Sequence, residues 1–183
     1  KVNATVIIVM IICSTGGKYM EKAIREQLLS LLENNSKLTE HEIAIMLEAS
    51  EEEVHREIAG LEKAHVICGY HTLIDWNKIN DDDVTALVEL RVTPQGGEGY
   101  QKLAEKINGY PQVVTLYLMS GAYDFLVMVR GKTLKEISLF VSGKLASIEE
   151  VQSTTTHFTL TKYKELGVSF EVKQTDGRMV VTP

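Results

Sequence analysis

Ser120-Gly121-Ala122-Tyr123-Asp124 sets two hydroxyls, a glycine and a carboxylate side by side between two strand-forming runs, Val113-Val114-Thr115-Leu116-Tyr117-Leu118-Met119 and Phe125-Leu126-Val127-Met128-Val129. Two such runs around a short polar stretch predict a β-hairpin whose tip carries these groups. A tip of this kind can hold a small zwitterion. Gly121 lets backbone N–H groups approach an anionic end, and the Asp124 carboxylate can take a cationic end. An ordinary hairpin with a turn glycine has the same local sequence, so the elements around the tip decide between the two.

Those elements form a series. Val84–Val92 reads as a strand and Gly99–Asn108 as a helix, and the hairpin follows. Residues 133–145 are helical again, with Leu134, Ile137, Phe140, Val141 and Leu145 on one face. Residues 151–161 are rich in β-branched side chains and close the series as a strand, on which Thr154 and Thr156, two apart, project from one face. The order β-α-β-β-α-β predicts a ferredoxin-like half-sandwich, an antiparallel sheet with both helices on one face. Its bare face then needs a cover, which homodimerisation supplies.

Upstream the period is helical. Ile24, Leu28, Leu31 and Leu32 mark one amphipathic helix; Ile43, Ala44 and Leu47 mark a second, with Thr39 as its cap. Ser50 opens a third as N-cap, with Glu53 at the capping-box position and Val54, Ile58 and Leu61 on its buried face. Helices joined by so short a turn predict a helix-turn-helix. Residues 66–74 are short, extended and β-rich, which suits a wing. The polar stretch 76–83 reads as a linker. The class is therefore α+β, with a winged helix-turn-helix over 20–75 and the half-sandwich over 84–167.

The stretch from about Met20 to Gly167 resembles the leucine-responsive and asparagine-responsive (Lrp/AsnC) family of transcription regulators. The residues that carry the resemblance are Ser50, Val54, Arg56, Leu61-Glu62, Val66-Ile67-Cys68-Gly69-Tyr70, Tyr110-Pro111-Gln112-Val113, Gly121-Ala122-Tyr123-Asp124 and Val151-Gln152-Ser153-Thr154-Thr155-Thr156. The resemblance implies a DNA-binding domain followed by an amino-acid-sensing domain, assembled as dimers that associate further into octamers. It implies an effector held between dimers against the hairpin turn. Ser120, Gly121, Tyr123 and Asp124 would line that pocket, and Thr154 and Thr156 would add hydroxyls.

Charge departs from that pattern. The region from Met20 to Asn80 holds six Lys and Arg against twelve Asp and Glu, a net charge of −6 that equals that of the whole chain. Proteins that grip DNA place positive charge where the phosphates lie. Here the third helix begins Glu51-Glu52-Glu53, which suits the helix dipole but opposes entry into the major groove. Ala59 and Gly60 stand where the family has basic residues, which leaves Ser50, His55, Arg56 and Lys63 as DNA contacts. Glu48 occupies a turn position where glycine is common, and a left-handed backbone there is strained by about 1 kcal/mol. Two functions fit: an amino-acid-responsive regulator binding double-stranded DNA, or an amino-acid-binding oligomeric or partner-binding module whose acidic helix-turn-helix no longer binds DNA.

Enzyme chemistry finds little to work with. Cys13 and Cys68 lie far apart, and His41, His55, His65, His71 and His157 form no metal-ligand spacing, so no metal or cofactor is expected. His41 and His65 read as covering helices. Phosphate-loop, dinucleotide and nucleophile-elbow motifs are absent from the sequence. Residues 6–12 are strongly apolar but too short to span a bilayer, and 1–19 read as an extension outside the domains. Past Gly167, two β-rich runs around Asp176-Gly177 predict a further hairpin over 168–183. The acidic balance and unpaired cysteines suit the cytoplasm.

Overall fold

The computed structural model describes residues 20–79, 83–93 and 99–170. The apolar stretch at 6–12 and the Asp176-Gly177 turn lie outside them. The chain divides into two compact units between Leu73 and Ile74.

In the first unit, α1 (Lys22–Asn34), α2 (Glu40–Leu47) and α3 (Glu51–Lys63) bury Leu28, Leu32, Ile43, Ala44, Val54, Ile58 and Leu61 against one another. Each fully buried aliphatic side chain contributes about 1.5–3 kcal/mol. Both short helices start as their sequences predict. Thr39 and Ser50 close capping boxes with Glu42 and Glu53, so each N-terminus satisfies its own donors locally. Glu57 on α3 is also buried, and the Arg25 guanidinium on α1 pairs with it, as a buried carboxylate requires.

The turn between α2 and α3 passes through Glu48 at φ 52°, ψ 38°, the left-handed conformation that disfavours a side chain. Beyond α3 the chain reverses at His65, φ 53°, with the Val66 N–H donating to the Leu61 carbonyl at 2.9 Å. The expected wing is not a paired strand. Residues 68–75 join no β-ladder among the described residues. Within the expected linker, Trp76–Ile79 form a 3-10 turn.

The second unit is the half-sandwich. Strands β1 (Val84–Val92), β2 (Val113–Leu118), β3 (Phe125–Gly131) and β4 (Val151–Phe158) form one antiparallel sheet in the order β2-β3-β1-β4. Ala86, Val88, Leu90 and Val92 of β1 and Phe125, Val127 and Val129 of β3 alternate onto one face. Leu103 and Ile107 of α4 (Gly99–Asn108) and Ile137 and Phe140 of α5 (Leu134–Phe140) cover that face. Leu134, expected on the buried side, is exposed. A π-helical turn, Val141–Leu145, follows α5, with the Ala146 N–H reaching the Val141 carbonyl at 2.8 Å. The wider turn keeps Val141 and Leu145 both buried.

The other face carries Leu87, Leu126 and Met128, half-buried, and a Glu89–His157 pair at 3.2 Å. Val168–Ser169 (β6) pair back with Lys164–Glu165 (β5) across Leu166-Gly167, a turn not named from the sequence; the hairpin expected around Asp176-Gly177 lies outside the described residues. Leu166 and Gly167, at φ 46° and 81°, make the two-residue left-handed turn that matches strand twist.

Candidate functional site

The β2–β3 connection places Ser120, Gly121, Tyr123 and Asp124 on one tight turn. Asp124 closes it. The Met119 N–H donates to the Asp124 carbonyl at 2.7 Å, and the Asp124 N–H donates to the Leu90 carbonyl of β1 at 2.9 Å. The side chain is tied as firmly. Val92 N–H donates to Oδ2 at 2.8 Å and the Tyr100 hydroxyl donates to Oδ1 at 3.1 Å. The carboxylate thus gathers the hairpin tip, the end of β1 and the start of α4 into one network. Its charge in turn holds the Tyr100 phenol above its usual range, chiefly through that hydrogen bond.

Each carboxylate oxygen accepts two hydrogen bonds, so the two internal donors leave one lone pair on each. Gly121 adds room. A Cβ built there meets nothing within 4 Å, and its φ of 159° lies at the border of extended backbone. The glycine therefore leaves the tip open more than it relieves strain. Ser120 and Gly121 are exposed and Tyr123 is half-buried.

Thr154 and Thr156 do not join the tip within one chain. They sit opposite Leu90 and Val88 on the helix-covered face, half-buried on edge strand β4. Leu90 also pairs with Phe125, so β1 separates the threonines from the tip by two strand spacings, about 10 Å. Val92 and Tyr100 were invisible as site residues. They meet Asp124 from 32 and 24 residues away, and no short motif encodes such a contact.

In the first unit, two of the three glutamates that open α3 are engaged in hydrogen bonds. Glu51 Oε1 lies 2.5 Å from His41 Nδ1, and Glu53 accepts from the Ser50 backbone N–H at 3.1 Å and hydroxyl at 3.0 Å. Ser50 is thereby committed as a cap. His55 is exposed but tied through Nδ1 to Glu40 at 2.9 Å, while Arg56 and Lys63 are exposed and free of ion pairs among the described residues. Histidines 41 and 55 so link α2 to α3 across the turn. A cleft of about 260 Å³ beside them is lined by Leu32, Leu38, Ile58, Glu40, Glu62 and Tyr70, among others. No group of three metal-ligating side chains occurs among the described residues, and no helix there is long and apolar enough to cross a membrane.

A family model described as the Lrp/AsnC ligand binding domain matches residues 85–168, the whole half-sandwich. The HTH-type transcriptional regulator YugG of Bacillus subtilis (strain 168), itself uncharacterised, is 42% identical over 158 residues, covering 86% of this chain and 95% of that protein. This chain belongs to the Lrp/AsnC family of transcription regulators. Solved structures of the family share its fold. The Neisseria meningitidis regulator NMB0573 in complex with L-Met superposes with a TM-score of 0.64 at 21% identity, covering 84% of this chain and 97% of that one. Escherichia coli AsnC gives 0.61 at 20% identity over 80% and 97%. The family model makes the second unit the ligand-binding domain of a regulator whose relatives are helix-turn-helix transcription regulators.

Proposed function

We propose that this regulator senses a free amino acid at the β2–β3 tip and alters its hold on DNA in response. The observation that carries the reading is the Asp124 carboxylate, oriented by two internal donors and still able to accept more. The effector ammonium takes the remaining lone pairs, worth about 1.5–3 kcal/mol for a charged hydrogen bond. Backbone N–H groups at Gly121 and the hydroxyls of Ser120 and Tyr123 take its carboxylate. Thr154 and Thr156 reach the effector from a second copy, since β1 stands between them and the tip of their own chain. Because both threonines lie on the helix-covered face, that second copy belongs to a neighbouring dimer rather than to a partner on the open sheet face, as further assembly into octamers would supply. The amino acid found with the Neisseria regulator supports this ligand class. The effector leaves the site chemically unchanged, and the protein acts in the cytoplasm.

On the DNA side, Arg56 and Lys63 supply phosphate contacts and His55 contributes from the same helix, with Ser50 fixing the helix start. So few cations imply weak binding per unit, multiplied by the avidity of several units in one oligomer. The test is selection of bound fragments from a genomic library at low and moderate salt, with and without mixed amino acids. Recovery of a palindromic site whose occupancy responds to amino acids supports the reading. No enrichment under any condition overturns it in favour of an amino-acid-binding module that has left DNA.

A further inference from the structure

Tyr100 stands at the start of α4 with its ring seated on Phe125, centroids 6.0 Å apart and planes tilted by 58°. Phe125 is buried at the head of β3, directly after Asp124, so this contact places the exposed phenol beside the tip. From there its hydroxyl reaches Asp124 Oδ1, while the Val92 N–H holds Oδ2. With the backbone donor alone, the carboxylate would turn about its terminal torsion, which has broad intrinsic preferences. The second donor comes from a different element and sets the carboxylate plane.

We propose that Tyr100 is the positioning residue of the effector site: it aims the Asp124 carboxylate at the effector ammonium and transmits occupancy of the tip to the start of α4. The idea rests on the amino-acid reading of the tip given above. An ammonium drawing on the same carboxylate weakens the pull of Asp124 on the phenol, so the Tyr100 hydroxyl must sense the ligand electronically. A tyrosine that only packs would not.

The experiment uses the full chain at neutral pH with the common L-amino acids, binding measured by calorimetry. In parallel, NMR follows tyrosine labelled with carbon-13 at the ring carbon bearing the hydroxyl, Tyr100 being identified by its missing signal in Tyr100→Phe. Loss of one aiming hydrogen bond weakens binding by about tenfold in Tyr100→Phe. In the wild type, an amino acid that binds shifts the Tyr100 resonance, and its N-acetyl derivative, lacking the ammonium, does not. Equal affinity in Tyr100→Phe, or a Tyr100 resonance unmoved by a bound amino acid, overturns the role of Tyr100 while leaving the sensing site standing. Absence of binding by every L-amino acid to the wild type overturns both.

Discussion

Glu51 at the start of α3 is held by His41 of α2, Oε1 to Nδ1 at 2.5 Å. Together with the Ser50–Glu53 box, this contact ties two of three adjacent glutamates into local hydrogen bonds, although each keeps its charge. Glu52 is the one left, exposed and without a hydrogen bond or ion pair among the described residues. Glu52→Gln is expected to raise affinity for duplex DNA of any sequence by about two- to threefold, at a cost of about 0.5 kcal/mol in helix-dipole stabilisation. In the opposite sense, Arg56→Ala and Lys63→Ala should each flatten the salt dependence of binding by about one unit of slope. Fluorescence anisotropy over a salt series reads both effects. Unchanged slopes would place the phosphate contacts elsewhere.

Asp124 has a structural duty besides its ligand duty, and two substitutions separate them. Asp124→Ala orphans the Val92 N–H, so it should destabilise the second unit by about 1–3 kcal/mol as well as abolish the amino-acid response. Asp124→Asn keeps an acceptor for Val92 while losing the charge. It should fold with nearly native stability in urea and still fail to respond. A full response in Asp124→Asn would show that the carboxylate charge is not used.

Glu48 is the strained residue of the helix turn. Glu48→Gly relieves about 1–2 kcal/mol of left-handed strain, offset by about 0.5–1 kcal/mol of added unfolded-state entropy. The expected net gain is about 0.5–1 kcal/mol, seen as a higher denaturant midpoint at unchanged slope. A loss of stability would mean that the Glu48 side chain does something favourable in the fold.

Acid should loosen α2 first at its N-terminus. The Thr39 backbone and side chain donate to the Glu42 carboxylate and hold it below the ordinary value of 4.5. A carboxylate whose folded value is depressed contributes stability above its unfolded value and loses it as pH falls through the folded one. The capping contribution is therefore complete at neutral pH and fades below about pH 4.5. Glu42→Gln should flatten this part of the stability–pH curve, measured by thermal unfolding across acid pH.

Elements whose instructions are local were legible in the order of residues itself. The boxes at Thr39-Glu42 and Ser50-Glu53 span three residues each, and the runs that make β2 and β3 flank a turn that any chain can close by itself. The apolar periods of α1 and α3 named Ile24, Leu28, Leu31, Leu32, Val54, Ile58 and Leu61, of which Ile24 and Leu31 are half-buried and the rest buried. Local logic reached less far elsewhere. The extended wing joins no strand among the described residues, and the turn at Leu166-Gly167 was not singled out in the sequence.

The sequence alone therefore determined the order of elements, their caps, and the family that they spell. Tertiary structure decided how charge and ligand groups are used. Asp124 meets Val92 and Tyr100, Glu51 meets His41, and Glu57 meets Arg25 only after strands and helices far apart in the chain have packed. The physical reason is range. A cap or a hairpin turn is favoured by atoms within a few residues, whereas a carboxylate's environment is set by whichever donors the assembled sheet and helices bring to it.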